Sequence, residues 1–149
     1  MELSQKLDLF GVIIANLLNL ILGLIFLNRV FGRAEWEHSL GYGTLIMILP
    51  LTIIALANLA VSRNWVFWIL PLIMVLFLAV EFVFDYWLKF DFRHTAWLGP
   101  YLLLYYLALF AMIGYAFLAG KPYGYVTLIT YFINLAATFF SYARVGHRV

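Results

Sequence analysis

Glu81 is a carboxylate in a place where a carboxylate is costly. It lies within a long apolar stretch, and its helical neighbours three and four positions away include Asp85 but no basic residue. An ionisable side chain at such a depth usually faces other helices or a wet cavity, and it marks a functional site by default. We therefore predict that Glu81, with Asp85 on the same helical face, is the centre of a site that binds a proton, a cation or a small solute.

A purely structural role for Glu81 is the alternative interpretation. An arginine from another helix would neutralise the carboxylate and anchor one helix to the next. Four arginines are predicted to lie at the same end of the bundle as Glu81, namely Arg29, Arg33, Arg93 and Arg144. The two roles differ in what lies within hydrogen-bonding distance of the Glu81 carboxylate.

Other polar side chains recur at helical spacing along the apolar stretches. Such rows let helices approach closely and hydrogen-bond to one another, so packing alone explains many of them. A more specific hypothesis is a partly polar cavity that several helices share with Glu81 and Asp85. Its other lining residues are predicted to be Asn16, Asn19, Asn58, Tyr105 and Asn134.

The last apolar stretch carries the longest polar row. Its members are spaced by alternating steps of three and four residues, which places them on one face of a helix. We predict that this face is buried against protein, because an amide in hydrocarbon costs several kcal/mol without a partner. The row comprises Thr127, Tyr131, Asn134, Thr138 and Ser141.

The histidines do not have the spacing of a metal site. His38, His94 and His147 are all predicted at the end of the bundle that also holds most of the carboxylates, yet no pair of them has the separation of a helical zinc motif. An ion-pair network with the arginines and lysines of the same end is the favoured interpretation. The chain has no cysteine, which excludes disulfides and thiolate chemistry. We predict no metal and no cofactor.

The composition of the chain is typical of a membrane protein. Hydrophobic residues make up 66% of the 149-residue chain and charged residues only 11%, against about 45–50% and about 25% in soluble domains. A net charge of +2 gives no indication of a nucleic-acid partner. The composition excludes an ordinary soluble globular protein and predicts a lipid bilayer as its surroundings.

The gaps between charged residues define the elements. A helix needs roughly 20 apolar residues to cross a bilayer, and five gaps reach that length if the third helix continues through Glu81. We predict an all-α, polytopic transmembrane bundle, a single membrane domain over residues 1–149. The helices are expected near 9–28, 42–62, 65–88, 99–119 and 123–143.

Prolines and glycines place the breaks in these helices. Pro100 and Pro122 fall in first turns, where a missing N–H has no cost. Pro50 and Pro71 lie inside the second and third spans and are predicted to kink them. Gly41 and Gly43 are interpreted as a loop before the second span.

Three classes of function are consistent with a five-span membrane bundle that carries these polar residues. The first is an oligomeric transporter or channel that uses the intramembrane carboxylate, since so short a chain would need copies of itself to complete a pathway. The second is a non-catalytic accessory subunit whose polar rows meet partner helices in a larger complex. An enzyme acting on a lipid ranks last, because neither a metal spacing nor a nucleophile motif is present.

The distribution of lysine and arginine predicts the orientation. Six of them fall on one side of the five-span topology and three on the other, which places the C-terminus in the cytoplasm and the N-terminus outside the cytoplasmic membrane. Reporter fusions after residues 34, 92 and 149 are all expected to report a cytoplasmic location. A periplasmic signal after residue 149 would reverse the orientation, and disagreement among the three fusions would refute the helix count.

Overall fold

The structure, a computed structural model, describes residues 2–90, 92 and 95–145. Within these ranges the chain is helical and contains no β-strand. Five helical segments are long and apolar enough to cross a membrane, in agreement with the predicted number. They are Leu3–Val30, Ala34–Ala60, Val66–Trp87, Leu98–Ala119 and Lys121–Val145.

Six α-helices and one wider turn build these five segments. The second segment is divided into two helices, and the third ends in a π-helical turn over Phe82–Trp87. In chain order, the helices are α1 (Leu3–Val30), α2 (Ala34–Ile46), α3 (Ile48–Ala60), α4 (Val66–Glu81), α5 (Leu98–Ala119) and α6 (Lys121–Val145). As predicted, Pro100 and Pro122 lie in the first turns of α5 and α6.

The second segment differs from the prediction at its start. It begins at Ala34, not near residue 42, so Gly41 and Gly43 lie within α2 and the predicted loop is wrong. The reason is close packing, since a side chain at Gly41 would overlap the hydroxyl of Tyr86. Glycine there makes room for a neighbour and does not break the helix.

Pro50 explains the interruption between α2 and α3. It has no N–H to donate to the carbonyl of Ile46, four residues earlier, and its ring disfavours a regular helix at that point. The two helices accordingly separate at Met47, whose N–H bonds to the carbonyl of Thr44 at 3.1 Å. The structure thus shows an interruption of the span near Pro50, and the predicted kink stays a prediction. Pro71 lies within α4, and a kink there stays a prediction.

The third segment continues through Glu81 to Trp87, as its length required. Its final turn is wider than an α-helix: the Leu88 N–H donates to the carbonyl of Val83, five residues earlier, at 2.8 Å. Single π-helical turns of this kind often occur at functional sites. Here the turn carries Asp85 and Tyr86 immediately after Glu81.

Helix α1 is the centre of the bundle. It packs most extensively against α6 and also touches α2, α3 and α5, while α4 lies between α3 and α5. The core consists of apolar side chains from these helices, among them Leu18, Leu51, Met74, Phe77 and Leu78, each at most 1% exposed. The five segments pack side by side, and consecutive segments run in opposite directions.

The polar row of α6 faces this bundle. Thr127, Asn134 and Ser141 are each at most 4% exposed, and Tyr131 is 6% exposed. Thr138 is half-buried on the same face. The prediction that this face lies against protein is therefore confirmed.

Gly11 provides a test of the packing between α1 and α5. A methyl group at this position would overlap the ring of Tyr115, which is fully buried and whose hydroxyl donates to the Leu7 carbonyl at 3.3 Å. Overpacking of this kind costs about 1–3 kcal/mol, which exceeds the gain of about 1 kcal/mol for alanine over glycine in a helix. We expect Gly11→Ala to lower the melting temperature of the protein in detergent.

Gly43→Ala is the matched control. No atom lies within 4 Å of a methyl group at that position, so this variant is expected to melt at or slightly above the wild-type temperature. A Gly11→Ala variant as stable as Gly43→Ala would contradict the placement of Tyr115 against α1.

Candidate functional site

A cavity of about 510 Å³ lies near one end of the bundle. It is bounded by the C-terminal ends of α1, α4 and α6 and by the N-terminal ends of α2 and α5, so all five segments contribute to its wall. Its lining extends inward along the helices as far as Leu22, Phe77, Tyr106 and Thr138. The lysine and arginine count predicts that this end of the bundle faces the cytoplasm.

Three carboxylates line this cavity. Glu81 at the end of α4 and Asp85 in the π-helical turn are both half-buried, and Glu37 extends from α2. Glu37 forms an ion pair with Arg29 of α1, with the Arg29 Nε 2.9 Å from Glu37 Oε1. The structure thus brings together the two predicted central residues and adds a third carboxylate that the sequence interpretation did not include.

Aromatic rings of α2 pack on Tyr86 of the π-helical turn, next to the carboxylates. His38 stacks on Tyr86 with ring centroids 5.2 Å apart, and Tyr42 lies 4.9 Å from Tyr86. Gly41, the residue that allows the Tyr86 hydroxyl to reach α2, also lines the cavity. The π-helical turn therefore directs Tyr86 toward α2, and Asp85 and Tyr86 share one cavity wall.

A second group of rings lines the inner wall. Phe92 and Tyr101 have ring centroids 4.4 Å apart, and Phe77 lies 5.6 Å from Tyr101 and 5.3 Å from Tyr105. Phe92 is only 1% exposed, although it lies in the connection before α5. Together these rings form a continuous aromatic surface from the connection to the bottom of the cavity.

The bottom of the cavity is polar at one point. Asn134 of α6 donates from Nδ2 to the Tyr105 hydroxyl oxygen at 3.1 Å, and the Thr138 hydroxyl donates to the Asn134 carbonyl at 2.9 Å. Tyr105 lines the cavity, and Asn134 lies one helical turn deeper without reaching it. Beyond this level apolar side chains fill the bundle, and Met74 and Met112 are at most 2% exposed.

Asn16 and Asn19 hold α1 against α6 and do not line the cavity. The Asn16 amide donates to the Thr127 hydroxyl at 3.1 Å and accepts from the Thr130 hydroxyl at 2.8 Å. Asn19 donates to the Thr130 hydroxyl at 3.0 Å. These are interhelical hydrogen bonds of the packing type, for which amide and hydroxyl side chains are suited.

Asn58 lies at the opposite end of the bundle from Glu81. Its Oδ1 accepts a hydrogen bond from Arg63 Nη1 at 3.0 Å, and Arg63 binds both carboxylate oxygens of Asp8, at 2.6 and 3.2 Å. The Arg63 guanidinium also lies over the Phe67 ring, 3.6 Å from its centroid. This cluster joins α1, α3 and α4 at the end where Tyr115 of α5 packs on α1.

The seven residues predicted to share one cavity are therefore distributed over four places. Glu81, Asp85 and Tyr105 line the cavity, and Asn134 supports it from below. Asn16 and Asn19 bond between α1 and α6, and Asn58 bonds at the opposite end of the bundle. The sequence interpretation missed Tyr86 and Phe92, and it placed His38 at this end of the bundle without including it in the cavity. The pairing of a small residue at Gly41 with an aromatic residue on another helix would have been the only available signal for Tyr86.

Three of the four arginines considered as structural partners of Glu81 lie within the described residues. Arg29 binds Glu37, and the Arg144 guanidinium lies 5.6 Å from the Phe140 ring centroid. Arg33 is exposed between α1 and α2. Arg93 lies outside the described residues, as do His94 and His147, which were considered above as metal ligands.

Neither a metal centre nor a known relative assigns a chemistry to this cavity. Within residues 2–90, 92 and 95–145, no three histidine or acidic side chains are placed to hold a metal ion. The chain matches no protein-family model, no curated protein and no solved structure. The geometry of the cavity is therefore the basis for any assignment.

Proposed function

We propose that this protein is a multi-pass membrane transport protein that binds a proton, a cation or a small solute at Glu81 and Asp85. The observation that carries the proposal is the cavity at one end of the bundle, which is lined by both carboxylates. Carboxylates within an apolar span are costly, and they commonly serve ion or proton pathways.

The two ends of the bundle support a carrier rather than an open pore. On one side the cavity reaches inward from Glu37 and His38 to Tyr105. On the other side the core is closed by apolar side chains and by the cluster of Asp8, Asn58 and Arg63. A site accessible from one side at a time is what alternating access requires.

The proposal includes insertion in the cytoplasmic membrane with the C-terminus in the cytoplasm. Five segments of sufficient length and apolar character favour insertion. The lysine and arginine asymmetry favours a cytoplasmic opening for the cavity. Assembly as a homo-oligomer, or with a partner membrane subunit, is part of the same proposal.

Proteoliposomes containing the purified full-length protein test the transport proposal. A pH-sensitive dye inside the vesicles reports proton movement, and radioactive sodium reports cation movement, under an imposed membrane potential. We expect flux in wild-type vesicles and its loss in Glu81→Gln, because glutamine keeps the shape of the side chain and removes its charge. The variant is expected to remain folded, as judged by its melting temperature in detergent.

Glu35→Gln is the matched control. Glu35 is exposed on α2 and does not line the cavity, so this variant is expected to keep wild-type flux. If neither probe moves in wild-type vesicles and Glu81→Gln unfolds the protein or releases a partner subunit, the transport proposal fails. Glu81 would then be a structural anchor, and the accessory-subunit alternative would replace transport.

A further inference from the structure

An apolar groove of about 500 Å³ lies on the outside of the bundle between α1 and α6. Every described residue that lines it is a glycine or carries a hydrocarbon side chain. Gly23 and Ala137 are buried and form its floor, and longer side chains flank them on both helices. The lining residues are Leu20, Gly23, Leu24, Leu27, Ile133, Ala136, Ala137 and Phe140.

Close approach of the two helices explains the shape of the groove. A methyl group at Gly23 would lie 3.4 Å from the Asn134 Cα and 3.8 Å from the Ala137 Cβ, so α1 and α6 are nearly in contact at this level. The small floor residues leave the space above them open, whereas Ile133 and Phe140 are exposed beside it. The result is a narrow channel that opens toward the surroundings of the bundle.

The length of the groove favours an acyl chain as its occupant. The lining runs from Leu20 to Leu27 and from Ile133 to Phe140, which at 1.5 Å per residue is about 10 Å on each helix. One leaflet contributes about 15 Å of a hydrocarbon core of about 30 Å. A partner helix has a diameter of about 10–12 Å with its side chains, so it would cover the groove without entering it.

A cation lies at one end of the groove. Ile133, Ala137, Phe140 and Arg144 follow one another at steps of four, three and four residues, which places them on one face of α6. Arg144 is exposed in the last turn of the helix, and its guanidinium lies 5.6 Å from the centroid of the Phe140 ring. A planar guanidinium binds phosphate through two parallel hydrogen bonds. Basic residues at the end of a membrane span attract anionic headgroups.

We propose that the groove between α1 and α6 binds one anionic phospholipid, with an acyl chain between Leu24 and Ile133 and the headgroup phosphate at Arg144. A second copy of the chain fits less well, because a symmetric pair would bring the same end of the same groove together and place one Arg144 near the other. This inference rests on the membrane insertion included in the proposed function, and it does not depend on transport.

Native mass spectrometry of the full-length protein, delipidated in detergent, tests the headgroup. Phosphatidylglycerol and phosphatidylcholine with identical acyl chains share the phosphate and differ in net charge. We expect a saturable one-to-one complex with phosphatidylglycerol and about fivefold weaker binding of phosphatidylcholine, the effect of one basic residue near an anionic surface. Equal binding of the two lipids would overturn the proposal.

Arg144→Gln connects the headgroup to the end of the groove. This variant is expected to bind phosphatidylglycerol about fivefold more weakly than the wild type and to lose the preference over phosphatidylcholine. Lys121→Gln is the matched control, because it removes one exposed positive charge from the other end of the same helix. It is expected to keep the wild-type affinity. Equal effects of the two variants would show attraction to net charge alone and would overturn the proposal.

Two pairs of variants connect the acyl chain to the groove. Ala136→Phe fills the groove and is expected to weaken binding by about tenfold, the loss of roughly two methylene contacts. Ala60→Phe adds the same ring at an exposed position of α3 and is expected to leave binding unchanged. If Ala136→Phe does not fold, Ile133→Ala is expected to weaken binding by about fourfold, and Ile129→Ala, exposed on the same helix outside the groove, is its control. Wild-type affinity in the groove variants would contradict the proposed position of the chain.

The outcomes separate this inference from the proposed function. Flotation of the protein with vesicles in a density gradient reports insertion independently, and a protein that does not float would refute the insertion on which both rest. Absence of phosphatidylglycerol binding by a protein that floats would overturn the inference alone. A lipid-free dimer that Ala136→Phe dissociates would place a second copy in the groove and would also overturn it. Charge-dependent lipid binding without flux of any probe in vesicles would support the inference and refute transport.

Discussion

The free-energy cost of burying charge in an apolar bundle determines where this protein places its charged side chains. The charged side chains whose contacts are described lie toward the two ends: Asp8 and Arg63 at one, and Arg29, Glu37 and the pair of Glu81 and Asp85 at the other. Between these ends, the polar contacts are made by neutral amides and hydroxyls, such as Asn16 with Thr127 and Asn134 with Tyr105. Neutral groups can be satisfied by one or two hydrogen bonds, whereas a buried charge needs a partner of opposite sign or access to water.

The two ends meet this requirement in different ways. At the first, Arg63 donates to both carboxylate oxygens of Asp8 and to Asn58 Oδ1, and it lies over the Phe67 ring, so the two charges neutralise one another. At the second, the ion pair of Arg29 and Glu37 lies on the wall of a cavity to which Glu81 and Asp85 add two further carboxylates. The first arrangement fixes helices in place, and the second leaves space for a ligand. This difference between the ends is the structural basis for proposing access from one side.

The number of helices could be predicted from the sequence because charge-free gaps of bilayer length are a one-dimensional property. Which helix faces pack together depends on the three-dimensional arrangement, and the prediction of these contacts was less complete. Asn58 was grouped with Glu81, although the alternating direction of consecutive spans, which the sequence already predicted, places the two residues at opposite ends. Gly41 resembled a loop residue because the ring that packs on it, Tyr86, lies on another segment and is directed there by a π-helical turn. Neither the turn nor the cavity has a local sequence signal.

Water access to the cavity from one side is the central claim, and thiol labelling measures it most directly. The chain has no cysteine, so single replacements on α6 can be labelled without background. Thr138 lines the cavity, the neighbouring Phe139 faces outward with 63% exposure, and Thr127 is fully buried between helices. In sealed vesicles, a membrane-impermeant methanethiosulfonate reagent is expected to modify Thr138→Cys quickly from the cytoplasmic side only, and Phe139→Cys and Thr127→Cys slowly from either side. Equal rates for all three positions, or equal modification of Thr138→Cys from both sides, would contradict the account.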